Sequence, residues 1–238
     1  PHHRSSAASD VYKRQLITLF SFSLSAQELF WYDVLLEVEG EDVTEFEKTV
    51  NDYYSSVDFP EDVTMTFSSI GLKGQGFEET HILSFVSPSS QSLANLRTSL
   101  SGEKWENYLD LVRPLVDNVR VSAGNASKVF NAEEFYPIGQ VWGFKVKSKY
   151  IPQFTVAFEK LMQSFDAPGF VGLANVTHGI SNGENLLIYG TYPDLNSAFT
   201  FGPKNEAEAG AFAEFFNVTG EISEFTQSWT RVKIQDYN

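Results

Sequence analysis

The order of predicted strands and helices constrains the fold more than any other feature, because it is the same in both halves of the chain. Residues 30–40 (FWYDVLLEVEG) alternate between two faces, which is typical of a strand. An amphipathic helix follows and contains FEKTV at 46–50. The other elements of this half are a hairpin (63–72 and 80–87), helical segments (87–100 and 105–119) and a closing strand (118–124). The predicted order is β-α-β-β-α-β.

The second half repeats this order with little literal identity. Its elements are a strand (140–148), a helix (152–165), a hairpin (169–181 and 186–193), helical segments (194–201 and 207–225) and a strand (227–235). The helix contains FEKLM at 158–162, which matches FEKTV in its first three residues. An offset of 110 residues carries Tyr32 onto Trp142 and keeps the apolar face of the first strand apolar. The sequence therefore predicts two copies of one fold unit.

A β-α-β-β-α-β unit is the ferredoxin-like arrangement. Over about residues 30–236 the chain resembles the dimeric α/β-barrel superfamily, on element order and strand patterning. The resemblance implies an α+β fold in which two ferredoxin-like units, 27–130 and 131–238, pack sheet to sheet as an intramolecular pseudo-dimeric α/β barrel. We expect a monomer with an internal pseudo-twofold axis. The face carrying Asp33 and Glu37, together with Lys145 and Lys147, either pairs its charges inside this barrel or faces solvent.

The N-terminal segment predicts export. Residues 1–15 (PHHRSSAASDVYKRQ) resemble a spurious leader found on conceptual translations, so we interpret them as an artefact. Lys13 and Arg14 precede the apolar run LITLFSFSLSA, which ends in small residues near Ala26. Basic, apolar and small residues in that order are typical of a secretory signal. Residues 16–26 are then a signal-peptide remnant and the protein is periplasmic or extracellular; the alternative is a buried N-terminal element.

Charge and cysteine content exclude several function classes. The formal net charge is −14 and becomes about −16 once residues 1–26, with three basic and one acidic side chain, are removed. Such a surface repels phosphate backbones and anionic lipid, so we expect no nucleic-acid partner and no membrane insertion after signal removal. The sequence contains no cysteine, which excludes thiol catalysis and Cys-ligated zinc.

Catalytic and metal-binding motifs are missing from the sequence. His81 and His178 are the histidines of the folded part, each near a strand end, and neither has the neighbours of a known metal motif. Haem-binding members of the superfamily present a histidine from a helical region, which neither position matches. No nucleophile elbow, H-E-x-x-H or phosphate-binding glycine loop is present. We therefore predict no metal and no cofactor.

Aromatic residues on the predicted strands suggest a ligand cleft. The superfamily resemblance implies a ligand site between the sheet and its helices, which is suited to a small aromatic or apolar molecule. Aromatic residues at these spacings are nevertheless core residues first. The candidate ligand-binding residues are Trp142, Asn175, His178, Asn185, Tyr189, Arg231, Trp229 and His81.

Three functions remain open from the sequence. The first is non-catalytic binding of a small organic molecule or a protein partner. The second is a cofactor-free monooxygenase- or isomerase-like enzyme in the aromatic cleft of one half, which requires a cavity lined by His178, Asn185 or Arg231. The third is a structural or scaffolding pseudo-dimer, for which no pocket is expected.

Overall fold

The computed structural model describes residues 28–238, so the predicted leader (1–15) and signal remnant (16–26) lie outside the described residues. Eight strands and six α-helices follow one another in the predicted order. The strands are β1 (Leu29–Glu37), β2 (Thr64–Lys73), β3 (His81–Ser87), β4 (Asn118–Phe130), β5 (Ile138–Val146), β6 (Val171–His178), β7 (Leu186–Tyr192) and β8 (Ser223–Tyr237). The helices are α1 (Val43–Tyr54), α2 (Ser90–Ser99), α3 (Glu103–Val112), α4 (Ile151–Ser164), α5 (Leu195–Phe199) and α6 (Glu206–Ile222).

All eight strands form one closed antiparallel barrel in the order β1-β3-β2-β8-β5-β7-β6-β4. The predicted fold class, two ferredoxin-like units packed sheet to sheet, is wrong. Strand β2 pairs along its edge with β8, and β4 pairs with β6, so strands from the two halves are hydrogen-bonded neighbours. Two separate four-stranded sheets would leave four edges with unpaired backbone groups, whereas closure pairs all of them. The structure does not confirm a tandem repeat, and the division of the chain at residue 130 stays a prediction.

The barrel has two outer hydrophobic cores under its helices and one inner core. Alternation along β1 points Tyr32, Val34 and Leu36 outward, where they pack under α1 and α3. Helix α1 presents Phe46, Val50 and Tyr54 to the same core at spacings of four residues. Helices α4 and α6 cover the second outer core, which includes Phe154, Phe158 and Phe215.

The inner core holds the inward-facing side chains, which alternate along each strand with the side chains of the outer cores. Leu35 packs inside the barrel with Val141 and Trp229, and Trp31 packs with Ala174 and Val176. Asp33 lies between Trp31 and Leu35 on the same face of β1 and therefore also points inward. Lys145, which was considered as its partner, is exposed and lies 3.8 Å from Glu224. Asp33 and Lys145 do not pair.

Within residues 28–238, no helix combines the length and the apolar character that a membrane crossing requires.

Candidate functional site

A cavity of about 750 Å³ lies outside the barrel, between its wall and α2. We call it the outer cleft. Its walls are mostly apolar and come from β1, β3, β4, the end of β6 and α2. The lining residues used below are Phe30, Trp31, Tyr32, Phe85, Leu93, Leu96, Arg97, Ala123, Gly124, Asn125 and His178. A cavity of this size accommodates a molecule of several fused rings.

The floor of the outer cleft is a row of residues across three strands. Tyr32 of β1 pairs with Ala123 of β4, and Ala123 pairs with His178 of β6. Neighbouring strands lie about 4.8 Å apart, so Tyr32 and His178 are separated by about 10 Å of barrel wall. The methyl group of Ala123 fills little of that space. A flat molecule over Ala123 would therefore have a phenol on one side and an imidazole on the other.

A β-bulge places His178 at this floor. The β4–β6 register shifts between Ala123 and Gly124, which leaves Thr177 as the extra residue of β6. Thr177 Oγ1 donates a hydrogen bond to the Ala123 carbonyl at 3.2 Å and lies 3.0 Å from His178 Nδ1. A hydroxyl has one proton to donate, so it accepts from an Nδ1–H. This arrangement favours the tautomer in which His178 Nε2 is free to take a proton.

The rim of the outer cleft carries a cation. Arg97, on the last turn of α2, is exposed, and its guanidinium carbon lies 5.6 Å from the centre of the Trp105 ring. Among the ion pairs between described residues, none involves Arg97. Asn125 lies one row from Ala123 on the same face of β4, opposite Phe30. Arg97 and Asn125 can therefore contact a polar substituent of a molecule in the cleft.

The corresponding space over the second half is nearly filled. Trp142 lines a cavity of about 90 Å³ between β5, β7, α4 and α6. Phe201 packs on Trp142 with ring centres 5.3 Å apart, and Phe212 lies 5.9 Å from Phe201. These rings occupy the volume that is open in the outer cleft. Trp142 is therefore a core residue and does not join the other candidates.

Three of the predicted residues meet inside the barrel. Tyr189, Trp229 and Arg231 line an inner chamber of about 90 Å³ together with Asp33. Arg231 is 4% exposed; it donates from Nη1 to Ser68 Oγ at 3.0 Å and from Nη2 to the Tyr189 hydroxyl. Burial raises the pKa of Tyr189 despite the neighbouring cation. This cluster and the outer cleft lie on opposite faces of the barrel wall.

The charge inside the chamber is balanced by Asp33. Ser84 Oγ donates a hydrogen bond to its carboxylate. Burial raises the pKa of Asp33 to about 6, although the Ser84 hydrogen bond and the Arg231 charge both act in the opposite direction. Asp33 therefore changes its protonation state close to neutral pH.

The remaining predicted residues have structural roles. His81 is 2% exposed and packs between Phe46 and Phe67, with its ring nitrogens 2.9 Å from Thr80 Oγ1 and 3.4 Å from Glu47 Oε1. Burial lowers the His81 pKa. With both nitrogens engaged in the core, His81 does not fit as a ligand of haem iron.

Two asparagines complete the candidate set. Asn185 exchanges two hydrogen bonds of 2.9 Å with the backbone of Val146, which fastens the β6–β7 turn to the end of β5. Asn175 pairs with Asn125 of β4 and Leu186 of β7. Neither lines the outer cleft or the inner chamber. Within residues 28–238, no three His, Asp or Glu side chains are grouped to hold a metal ion.

Sequence reasoning missed most of the outer cleft. Tyr32 was assigned to the apolar face of β1, and Asn125 was not among the candidate residues. The small pair Ala123 and Gly124, at the end of the predicted strand 118–124, was the available signal, because small residues leave space above a sheet. The role of α2 had no signal, since its few apolar residues predict only a helix covering the core.

No protein-family model and no curated protein matches this sequence. Solved structures do match it. An anthrone oxidase-like protein superimposes with a TM-score of 0.62 at 11% identity, covering 89% of this chain and 93% of the other. A provisionally assigned monooxygenase from Fusobacterium nucleatum gives 0.62 at 13% identity, covering 89% and 94%. Another from Lactobacillus acidophilus gives 0.61 at 12% identity, covering 88% and 96%.

At these identities the likeness shows the fold and not the activity. The chain shares its barrel fold with these structures, and membership of the dimeric α/β-barrel superfamily stays a prediction. The non-catalytic binding function that the sequence placed first has no support among these neighbours, which are monooxygenase-like. The scaffolding alternative predicted no pocket, and the outer cleft contradicts it.

Proposed function

We propose that this protein is a monooxygenase-like enzyme that oxidises a flat, fused-ring compound with an acidic ring methylene in the outer cleft. The observation that carries the proposal is a mostly apolar cavity of about 750 Å³ with one imidazole on its floor. The barrel shared with monooxygenase-like structures supports it. The cleft over the second half is filled by aromatic rings, so the activity belongs to one side of the barrel.

The shape of the cleft selects planar, apolar substrates. Phe30, Tyr32 and Phe85 provide aromatic surface on the barrel side, and Leu93 and Leu96 of α2 face them. Aromatic walls with few polar groups favour a rigid ring system over a sugar or peptide. An anthrone, the compound class in the name of one structural neighbour, has the required flatness and a reactive ring methylene.

His178 is the proposed base. Its Nε2 takes a proton from the ring methylene, and the resulting carbanion reacts with dioxygen. Reprotonation gives a hydroperoxide on that carbon, which loses water as the carbon–oxygen double bond forms. The sum is R₂CH₂ + O₂ → R₂C=O + H₂O, in which dioxygen accepts four electrons from the methylene carbon.

Arg97 and Asn125 are the proposed anchors. The Arg97 guanidinium at the rim donates hydrogen bonds to the ring carbonyl oxygen of the bound substrate, and the Asn125 amide hydrogen-bonds a ring substituent. Neither group needs to move a proton. Their contribution is to hold the ring system over Ala123 beside His178.

The test is aerobic oxidation of anthrone, measured as quinone formation above the rate without protein. We expect His178→Ala to lower kcat by about 100-fold, the usual share of a general base. Ala123→Leu fills the floor and should abolish the reaction while the thermal unfolding midpoint changes little. Gln163→Ala, on the exposed side of α4, is the control and should retain full activity. A parent rate equal to the autoxidation rate, or an unaffected His178→Ala variant, would contradict the proposal.

A further inference from the structure

The inner chamber carries polar groups that the proposed reaction does not use. It lies inside the barrel with a volume of about 90 Å³ and is lined by Asp33, Ser84, Tyr189 and Arg231 from four different strands. Volume above roughly 15 Å³ is enough for a water molecule, so a molecule of several non-hydrogen atoms fits here. Trp31 lines both this chamber and the outer cleft, whereas Asp33, Ser84, Tyr189 and Arg231 line the chamber but not the outer cleft.

Arg231 and Asp33 keep hydrogen-bonding capacity free in the chamber. Arg231 donates to Ser68 and Tyr189, whereas a guanidinium has five N–H groups. Asp33 accepts from Ser84 through one oxygen. The Arg231 charge lowers the pKa of the Asp33 carboxyl. The two side chains nevertheless form no ion pair within 4.0 Å. Unused donors and an unused acceptor therefore lie near one enclosed volume.

Trp31 adds an unsatisfied donor to the same wall. The side chain is 9% exposed and lines the chamber. Its Nε1–H is a buried side-chain donor with no hydrogen-bond partner among residues 28–238. A buried donor without an acceptor lowers stability, so such groups usually have a partner. An acceptor supplied by a bound molecule satisfies it.

We propose that the inner chamber is a second binding site, distinct from the outer cleft, for a small aliphatic monocarboxylate of about two to four carbons. Its carboxylate accepts hydrogen bonds from Arg231 and from Trp31 Nε1. A planar carboxylate matches the fork of a guanidinium better than a neutral ligand does. The alkyl end lies against Ala174 and Leu187, which pack with Trp31.

Asp33 makes this binding depend on pH. On the chamber side, the charged or titratable groups near Asp33 are Arg231 of β8 and Tyr189 of β7, while Ser84 of β3 is neutral. On the other side, Arg120 of β4 and Glu184 of the β6–β7 turn line a small cavity with Asp33, and Arg120 is already paired with Glu79 at 2.9 Å. When Asp33 is protonated, the Arg231 charge is free for an anion and the carboxyl proton is a further donor. When Asp33 is ionised, it neutralises Arg231 and repels the carboxylate. Affinity is therefore expected to fall as the pH rises through about 6.

One mouth of the barrel gives access. Phe135, in the segment between β4 and β5, lines the chamber and is 43% exposed. Its ring lies 4.2 Å from that of Phe170 and 6.4 Å from that of Tyr189. A side chain that touches both the chamber and solvent marks the route by which a small molecule enters.

The experiment is a nuclear magnetic resonance titration of the protein with propionate, with chloride at equal ionic strength as the reference. We expect saturable binding near pH 5 that is at least about ten-fold weaker near pH 8. Trp31→Phe keeps the aromatic bulk and removes the N–H, and is expected to weaken binding about five- to ten-fold. Trp105→Phe, at a half-buried tryptophan of α3 that packs outside the barrel, is the matched control and should bind as the parent does.

Asp33→Asn tests the pH dependence separately. It removes the ionisable group but keeps a hydrogen-bonding side chain, so affinity near pH 8 should rise toward the value near pH 5. Propionate shifts no larger than those of chloride near pH 5, or equal affinity of Trp31→Phe and parent, would overturn the proposal. If propionate binding by Asp33→Asn kept the pH dependence of the parent, Asp33 would not be the group that controls binding. The Asp33→Asn test is independent of anthrone oxidation, because Asp33 does not line the outer cleft.

Discussion

Ser84 donates a hydrogen bond to the carboxylate of Asp33 inside the barrel. The two residues are cross-strand neighbours on β1 and β3. This single hydrogen bond does not compensate for burial, which raises the pKa of Asp33 from 3.8 to about 6. The carboxyl group therefore costs stability when it is ionised and costs little when it is protonated.

The first prediction concerns the pH dependence of the free energy of unfolding. Between pH 3.8 and about 6 the folded state binds more protons at Asp33 than the unfolded state does. The stability that Asp33 contributes is therefore fully present below its unfolded-state pKa of 3.8 and is lost as the pH rises through its folded-state pKa of about 6. In Asp33→Asn this loss disappears, so the variant should gain on the order of 2 kcal/mol relative to the parent between about pH 4 and pH 7.

The measurement is urea unfolding at a series of pH values, in buffers free of carboxylic acids. Ser122→Ala, at the position paired with Asp33 on β4, is the control and should shift stability equally at all pH values. A constant difference between Asp33→Asn and the parent across the series would contradict the assignment.

The second prediction concerns His81 and has the opposite sign. Burial lowers the His81 pKa below 6.5, and the hydrogen bond to Glu47 partly offsets this. Below pH 6.5 the unfolded state therefore binds more protons at this residue, and stability is lost as the pH falls. Glu47→Gln removes a charge that raises the His81 pKa. The stability lost on acidification should therefore grow by roughly 0.5–1 kcal/mol.

Glu45→Gln is the matched control for this change, since Glu45 is an exposed residue of the same helix. Unfolding of both variants is compared between neutral pH and about pH 5. Identical pH profiles for the two variants would show that Glu47 does not act on His81.

The third prediction uses two glycines in strands. A Cβ on Gly124 of β4 would lie 1.8 Å from the carbonyl oxygen of Asn175, whereas a Cβ on Gly71 of β2 would meet nothing within 4 Å. Gly124→Ala therefore forces β4 and β6 apart and should lower the free energy of unfolding by more than about 2 kcal/mol. Gly71→Ala should change it by less than about 1 kcal/mol. Similar losses in both variants, measured by chemical denaturation, would contradict this account.

The sequence could predict the local elements of the fold but not the pairing of distant strands. Alternation along β1 and four-residue spacing in α1 are local patterns, so the elements and their order follow from the residues. Edge-to-edge pairing of β2 with β8 joins residues far apart in sequence, and no periodicity reports it. The closed barrel was therefore missed, although the strands that build it were not.

The candidate site also contains residues that the sequence predicted and an arrangement that it did not predict. Tyr189, Trp229 and Arg231 were predicted as ligand residues and do meet, but inside the barrel. His178 lines the outer cleft beside Tyr32 because of a bulge in β6, and a one-residue bulge leaves no clear mark on the pattern of side chains. Asn185 was selected as a polar residue, yet its amide is used by the backbone of Val146.

The fourth prediction concerns Arg97 at the rim of the outer cleft. If Arg97 holds the ring carbonyl oxygen of the bound substrate, Arg97→Gln should raise KM about five- to twenty-fold and leave kcat within about twofold, because binding is weakened and the base is untouched. Arg113→Gln is the matched control: Arg113 is an exposed arginine whose Nη1 lies 3.0 Å from Asp110 on α3. An equal change of KM in both variants would show that Arg97 acts only through the net charge of the protein.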